Sequence, residues 1–302
     1  MGKSTKILLI SAALLVFIGL MIFAVTMSAI GWDFTMLGTK RFETNSYDVS
    51  EEFTGISIDT DTADIIFKVS DNGQCRVECY EFENEKHTVL AKDGILCISV
   101  TRSQKWYDYI GINTDSPVIT VYIPKKHYES LVIKESTGDV ELVDEFDFGH
   151  VSVSTSTGDI NIKNVSTGAM ELLVSTGDVS VSGAKIAGEC KVELSTGKTA
   201  LTDLSCKTLT SDGNTGDIVL KNVIVAEKLT VTRSTGDVKL DGSDAAEIFI
   251  TTDTGDVEGS LLSEKVFIVN TDTGDVDVPD TVSGGRCEIT TDTGDVEIRI
   301  KQ

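Results

Sequence analysis

The chain has 302 residues, with 48 acidic against 26 basic side chains and a formal net charge of −22. Such a charge argues against nucleic acid and anionic lipid as partners, because both would repel it. It would attract cations or cationic peptides, while the simpler interpretation is solubility of an exposed, acidic rod.

An uncharged apolar run, residues 7–30, follows Lys3 and Lys6 near the N-terminus. It is long enough to cross a bilayer and longer than the roughly 7 to 15 apolar residues of a signal peptide. The positive-inside rule puts the two lysines in the cytoplasm and the rest of the chain outside. We therefore expect a cytoplasmic tail (1–6), an uncleaved single-pass anchor (7–30) and a linker (31–52). Cleavage after Ala29 is the alternative, although Met27 stands where a small residue is preferred.

A tripeptide, Thr-Gly-Asp, recurs through the second half of the chain at steps of 19 or 20 residues. So tight a period indicates one structural unit stacked on copies of itself. One repeat reads Thr-Gly-Lys instead. The glycines of the series are Gly138, Gly158, Gly177, Gly197, Gly216, Gly236, Gly255, Gly274 and Gly294.

Apolar residues alternate on both sides of each glycine, which predicts two short strands per repeat. Seven residues before the glycine stand Leu131, Val151, Met170, Cys190, Leu209, Leu229, Ile248, Phe267 and Cys287. Five residues before it stand Ile133, Val153, Leu172, Val192, Ser211, Val231, Ile250, Val269 and Ile289. A third side is predicted from Phe146, Val165, Ile186, Leu204, Val223, Leu262 and Val282.

The fold class predicted by this pattern is all-β: a single-stranded parallel β-solenoid (β-helix) of about nine rungs over residues 131–302. Glycine marks the corners, because it accepts positive φ without a steric penalty. A β-propeller would need roughly 40-residue blades, and leucine-rich repeats would show a leucine consensus that is absent.

Residues 53–130 are predicted to form a degenerate first rung, with Ala63 at the glycine position, followed by a β-hairpin cap. Such a cap protects the end rung from unwanted strand pairing. At the other end we expect the strand containing Ile300 to be the last of the stack. Arg299 and Lys301 would then blunt its edge by charge, or the edge would be a pairing surface.

Stacking places the aspartates of the repeat on one edge, about 4.8 Å apart on adjoining rungs. Their repulsion has two remedies: each carboxylate accepts backbone N–H groups in its own turn, or cations bridge the ladder. We favour turn capping. The alternative is a Ca²⁺ edge where Thr-Asp-Thr-Gly-Asp makes the oxygens densest, at Asp253, Asp256, Asp272, Asp275, Asp292 and Asp295.

Six cysteines are present. Cys190 and Cys287 share one buried column about five rungs apart, roughly 24 Å, which is too far for a disulfide. A bridge from Cys97 to Cys75 or Cys79 is left open, since it requires neighbouring strands. The sequence lacks a CxxC pair, which argues against metal binding by these cysteines.

No catalytic signature accompanies the repeat. The three histidines are scattered, and an active site would break the symmetry that the aspartates keep. We therefore expect no enzyme; a polysaccharide-active β-helix enzyme using paired carboxylates is a distant alternative. Trp106, Tyr107 and Tyr109 form the most site-like local feature, a cap loop that contacts a partner or ligand or else packs over the cap.

The apolar anchor with Gly31-Trp32-Asp33-Phe34, the segment 56–65 and the Thr-Gly-Asp-Val series together resemble the bacterial β-strand-repeat family of candidate adhesins, a domain family of unknown function. The resemblance covers nearly the whole chain. It implies a membrane-anchored, extracellular protein of a Gram-positive bacterium, and it supplies no catalytic residues or cofactor. It also implies an envelope protein or surface polymer as partner. Some relatives are linked to envelope stress, so a sensor or regulator is the alternative.

Overall fold

The computed structural model describes residues 2–29, 31–32, 42–100 and 116–301. One α-helix, α1 (Lys3–Ala29), precedes an all-β body. Its segment Leu8–Ala29 has a mean hydropathy of 2.9 and is long and apolar enough to cross a membrane. A signal sequence near the N-terminus can also meet this criterion of length and apolar composition, so the helix fits either role.

The body contains strands of 2 to 17 residues. They are β1 (Phe42–Val49), β2 (Gly55–Asp59), β3 (Asp64–Val69), β4 (Cys75–Phe82), β5 (His87–Lys92), β6 (Ile95–Val100), β7 (Val118–Ile123), β8 (His127–Thr137), β9 (Val140–Leu142), β10 (Phe146–Thr157), β11 (Ile160–Lys163), β12 (Val165–Thr176), β13 (Val179–Ser182), β14 (Lys185–Ile186), β15 (Glu189–Thr196), β16 (Thr199–Thr202), β17 (Ser205–Thr215), β18 (Ile218–Lys221), β19 (Ile224–Thr235), β20 (Val238–Thr254), β21 (Val257–Leu261), β22 (Lys265–Thr273), β23 (Val276–Asp277), β24 (Gly285–Thr293) and β25 (Val296–Ile300).

The strands stack into two parallel sheets, one holding the long strand before each glycine and the other the short strand after it. The register is that of the repeat: Val151 lies opposite Leu131 on one side and Met170 on the other. Each rung is too thin to bury its apolar side chains alone, so neighbouring rungs cover them. The predicted parallel β-solenoid of about nine rungs is confirmed.

The core consists of the predicted columns. Leu131, Val151 and Cys190 are fully buried, as are most of their equivalents before and after the glycines. On the third side, Phe146, Val165, Ile186, Leu204 and Val223 are buried as expected. The prediction is wrong for Leu262 and Val282, which are 46% and 91% exposed, because they flank the outermost rung.

A second corner repeats along the stack and was not predicted. Five residues there have φ between 51° and 65°, the left-handed region. Only glycine and, at small cost, asparagine or aspartate adopt this conformation routinely. The sequence signal is their spacing of 19 or 20 residues: Asn164, Gly183, Asp203, Asn222 and Gly242.

The last rungs do not stack in chain order. β20 pairs with β24, and β24 pairs with β22 on its other side, so the Gly294 rung is inserted between the Gly255 and Gly274 rungs. The expectation that the Ile300 strand ends the stack is therefore wrong. Arg299 does not blunt an edge; it forms an ion pair with Asp277 of the outer rung at 2.7 Å. The outermost rung is β22 with β23.

The N-terminal end is also out of order. The degenerate rung, β2 with β3, lies between β6/β7 and β8/β9, so it is second in the stack. Three antiparallel strands then cover this end: β5 on β6, β4 on β7 and β1 on β4. The predicted N-terminal β cap is confirmed.

All six cysteines are free thiols. Cys75 and Cys79 are buried on β4, whereas Cys97 is exposed on β6, a strand of the opposite sheet. The disulfide left open for Cys97 does not form, because its side chain faces solvent and theirs face the core. Cys190 and Cys287 are small core residues, as predicted.

Candidate functional site

The aspartate edge is a hydrogen-bonded ladder in two runs. The backbone N–H of Asp159 donates to Oδ1 of Asp139 at 2.8 Å, and that of Asp178 donates to Oδ1 of Asp159 at 2.7 Å. Each carboxylate thus accepts from the turn of the next rung. The prediction that it would accept from its own turn is wrong. The parallel stack explains the difference, since it places the neighbouring rung's N–H directly beside each carboxylate.

The glycine of the tripeptide is required for both conformation and space. Gly158 has a φ of 140°, and a Cβ at this position would overlap the carbonyl oxygen of Gly138. Its N–H donates to the carbonyl of Thr176 at 3.0 Å. Thr-Gly-Asp is therefore the corner at which consecutive rungs are hydrogen-bonded together.

Lys198 divides the ladder into two runs. Its N–H donates to Asp178 at 2.7 Å, but its side chain offers no acceptor to the next rung. The first run starts at Asp64, whose Oδ1 accepts from the N–H of Asp139 at 3.0 Å. The second run passes through Asp217, Asp237, Asp256, Asp295 and Asp275, in the spatial order of the rungs.

The six aspartates of the predicted calcium edge fall into two sets. Asp256, Asp295 and Asp275 lie on consecutive rungs; Oδ1 of Asp256 and of Asp295 accepts in the ladder, whereas Asp275 takes part only through its backbone N–H. Asp253, Asp272 and Asp292 are exposed two residues before the corner. The calcium site stays a prediction. A higher melting temperature of the chelator-stripped full chain on addition of Ca²⁺ would support it.

The aromatic cap loop with Trp106, Tyr107 and Tyr109 lies outside the described residues, so its role as a contact surface stays a prediction.

A buried acid stands where the ladder begins. Glu135 occupies the inward position three residues before Gly138, and its Oε1 accepts from the N–H of Ala63 at 3.3 Å. Its Oε2 is buried without a hydrogen-bond partner among the described residues. Burial, with the charges of Asp64 and Asp139, raises the pKa of Glu135 to about 8. A protonated carboxyl is therefore expected here at neutral pH.

Arg233 is a buried cation at the equivalent position of a later rung, three residues before the corner glycine. Arg233 is 3% exposed and donates to Oγ and the carbonyl of Ser211, at 2.9 and 3.2 Å, and to Oγ1 of Thr199 at 3.3 Å. Burial lowers its pKa to about 10. The neighbouring rung has serine at position 211 and glycine at position 213, so the guanidinium fills space that larger side chains occupy elsewhere.

A second polar cluster lies inside the cap. Glu81 Oε2 accepts from the backbone N–H of His87 at 2.6 Å and lies 2.7 Å from His87 Nδ1. His87 Nε2 lies 3.0 Å from Oγ1 of Thr60. Cys79 completes the group: its sulfur, one Glu81 oxygen and one His87 nitrogen lie within 4.8 Å of one another, and all three residues are buried.

Sequence reasoning missed this cluster. β4 and β5 are consecutive but pair with β7 and β6 and not with each other, so the spacing did not show that Glu81 and His87 meet, and Thr60 comes from the distant end of β2. Cys79 and Glu81 did show the two-residue spacing of one strand face. Burial works to raise the pKa of Glu81. Hydrogen bonds from the His87 side chain and backbone and from Asn45 outweigh it and hold that pKa below its ordinary value.

The outer end of the solenoid is uncovered. β22 pairs with β24 and β23 pairs with β25, and neither pairs with a further strand among the described residues. Val276 belongs to the same inward column as Val296 and Val257, which are buried, yet it is 47% exposed. The end rung therefore presents an unpaired strand edge and apolar side chains to solvent, in contrast to the capped N-terminal end.

Comparison with solved structures returns the same architecture. A candidate adhesin of Bacteroides fragilis aligns over 87% of this chain and 99% of its own, with 16% identity and a TM-score of 0.51. A candidate adhesin of Parabacteroides distasonis aligns over 84% of this chain and 98% of its own, with 13% identity and a TM-score of 0.42. A candidate lipid-binding protein of the same species covers 87% and 98%, with 14% identity and a TM-score of 0.34. At these identities the first likeness shows the fold alone.

No curated protein matches the sequence. The profile of one protein family, Toastrack DUF4097, matches residues 53–223 and 206–302, which include every rung of the solenoid and the cap except β1. The chain belongs to the Toastrack DUF4097 family.

Proposed function

We propose that this protein is a membrane-anchored, extracellular β-solenoid that acts as a non-enzymatic, adhesin-like interaction module at the bacterial cell envelope. The apolar segment Leu8–Ala29 supports the anchor, and Lys3 and Lys6 before it support a cytoplasmic N-terminus. The similar solved structures include candidate adhesins, which supports the functional class.

The uncovered end rung is the observation on which the proposal rests. Natural β-proteins protect their edge strands, because an open edge pairs with other chains. Here the N-terminal end has three covering strands, while β22 and β23 have none among the described residues. Val276 is exposed only because no rung stacks on it. A solenoid end left open at one side and covered by antiparallel strands at the other suits capture of a partner at the open end.

The partner we propose is an envelope protein that contributes an extended segment to the end rung. Strand addition obtains affinity from main-chain hydrogen bonds and specificity from alternate side chains. Asp275 is the last carboxylate of the ladder, and no described residue donates to it. With Asp272 and Asp277 nearby in sequence, the end rung favours a segment that contains lysine or arginine.

The repeated aspartates support a non-enzymatic role. Each ladder carboxylate except the last, Asp275, already accepts a backbone N–H, and the same residue recurs on almost every rung. Turnover of an envelope polysaccharide that is abolished by one ladder substitution would contradict this part of the proposal.

The test is binding of the full-length chain, in lipid nanodiscs, to purified envelope fractions of the host bacterium. Val276→Lys places a charge on the end face and should reduce binding to the protein fraction at least tenfold. Leu90→Lys is the matched control, since Leu90 is an exposed apolar residue of the covered end. Equal binding by both variants would refute the end rung as the docking face. Binding only to polymer would replace the protein partner, and capture only of integral membrane proteins would favour the envelope-stress regulator.

A further inference from the structure

We propose that the N-terminal cap contains a zinc-binding site formed by Cys79, Glu81 and His87. These are three residue types that Zn²⁺ selects, a sulfur, a carboxylate oxygen and an imidazole nitrogen. This site lies in the cap and is independent of the open end of the solenoid.

The geometry brings the donor atoms together. One donor atom from each residue lies within 4.8 Å of the other two, and ligands of one tetrahedral zinc ion stand about 3.3 to 3.7 Å apart. Glu81 Oε2 and His87 Nδ1 are 2.7 Å apart, as in a hydrogen bond, and an ion bound between them would replace that bond after a separation of less than about 1 Å. β4 places Cys79 and Glu81 on one face, and His87 begins β5 directly after the turn.

Outer hydrogen bonds hold the atoms that would not contact the metal. His87 Nε2 lies 3.0 Å from Thr60 Oγ1, so a ring bound through Nδ1 could donate its remaining N–H to that hydroxyl. Glu81 Oε1 accepts from the Asn45 side chain at 2.7 Å. Metal-binding histidines and carboxylates are usually oriented by such second contacts.

The charge balance also favours a divalent ion. Glu81 is fully buried. A carboxylate there beside a thiolate at Cys79 would place two negative charges together, and one Zn²⁺ would neutralise both. Because the thiolate is the form that binds zinc, binding releases the thiol proton to solvent, and the affinity should increase with pH.

The full-length chain, purified without a histidine tag and stripped with a chelator, provides the test. We expect one Zn²⁺ per chain by elemental analysis. With Co²⁺ as a probe, we expect a thiolate-to-cobalt charge-transfer band. Cys79→Ser, a nearly isosteric change, should remove that band, and Glu81→Gln and His87→Gln should weaken zinc binding at least tenfold. Cys97→Ser is the matched control, because Cys97 is exposed, and it should bind zinc as the wild type does.

Substitution of Asn45 distinguishes a residue that positions a ligand from a residue that binds the metal itself. Asn45→Ala should keep the charge-transfer band while weakening zinc about 10- to 100-fold. Melting curves show whether each variant folds: Zn²⁺ should raise the melting temperature of the wild type and of Cys97→Ser, but not that of Cys79→Ser. Substoichiometric zinc in the wild type, or an unchanged cobalt spectrum in Cys79→Ser, would overturn the proposal.

Discussion

Asp159 accepts, through Oδ1, a hydrogen bond from the backbone N–H of Asp178 at 2.7 Å. The acceptor belongs to one rung and the donor to the next, so the repeated aspartate is a link between rungs. The same arrangement brings like charges to one edge, about 4.8 Å from rung to rung. Hydrogen bonding and repulsion therefore oppose each other at every rung of the ladder.

Substitution of Asp159 separates these two effects. Asp159→Asn keeps an acceptor and removes the charge, so we expect stability equal to or slightly above that of the wild type at low salt. Asp159→Ala removes the acceptor from the N–H of Asp178 and should cost about 1 kcal/mol. Urea unfolding with chelator present measures both. Asp253→Ala is the control, since Asp253 is exposed and outside the ladder. An asparagine variant as unstable as the alanine variant would mean that the charge itself stabilises the edge.

Gly177→Ala tests the corner. Gly177 has a φ of 141°, and a Cβ would overlap the carbonyl oxygen of Gly158, which the stacked backbone cannot move away. We expect a loss of more than about 2 kcal/mol in unfolding free energy, or failure to fold. The matched control is Gly73→Ala, where φ is 72° but a Cβ meets open space. That variant should lose only about 1 kcal/mol, and equal losses would contradict the steric role of the corner.

The rungs were predictable from the sequence because burial and corner conformation repeat with the period. The order of the last three rungs was not. Thr-Asp-Thr-Gly-Asp-Val occurs at Gly255, Gly274 and Gly294 alike, so their edges offer the same hydrogen bonds and any order satisfies the motif. The order of these rungs therefore depends on their other side chains. The Gly294 rung has the fully buried Cys287 and Ile289, whereas the Gly274 rung is followed by Pro279, which lacks an N–H and suits an outer position.

The polar cluster of the cap was unpredictable for a different reason. Its contacts join Thr60, Glu81 and His87 across strands whose pairing depends on the order of the N-terminal rungs. That order is set by antiparallel strands without a repeat, so no period indicates which residues meet. By contrast, the ladder residues share one position in each repeat, and their common edge follows from the period alone.

Arg233→Leu tests the buried guanidinium. The substitution leaves Oγ of Ser211 and Oγ1 of Thr199 without their donor and does not fill the same volume. We expect a loss of about 2 to 4 kcal/mol. Adding Ser211→Val restores the apolar residue that neighbouring rungs have at Val192 and Val231, so the double variant should recover part of the loss.

Chemical denaturation of the two single variants and the double variant gives the coupling between positions 233 and 211. Arg286→Leu is the control, because Arg286 is half exposed, and it should change stability by less than about 0.5 kcal/mol. Strictly additive effects would contradict the packing of the guanidinium against Ser211.

Glu135 should give the protein a pH-dependent stability. Its folded-state pKa of about 8 lies above the ordinary 4.5, so between these values the folded chain retains a proton that the unfolded chain has released. Its stabilising contribution is complete below pH 4.5 and is lost as the pH rises through 8. The slope from this group is at most about 1.4 kcal/mol per pH unit.

Glu135→Gln removes the ionisation and should flatten this decline, leaving the variant more stable than the wild type above pH 8 by a few kcal/mol. Urea midpoints from pH 5 to pH 9 measure the difference between the two curves, which cancels the titration of all other groups. Glu129→Gln is the control, because Glu129 is an exposed residue of the same strand, β8, and this variant should follow the wild-type curve. Parallel curves for Glu135→Gln and wild type would show that the buried carboxyl is already ionised in the folded protein at neutral pH. Its Oε2 would then have a hydrogen-bond donor that the described residues do not supply.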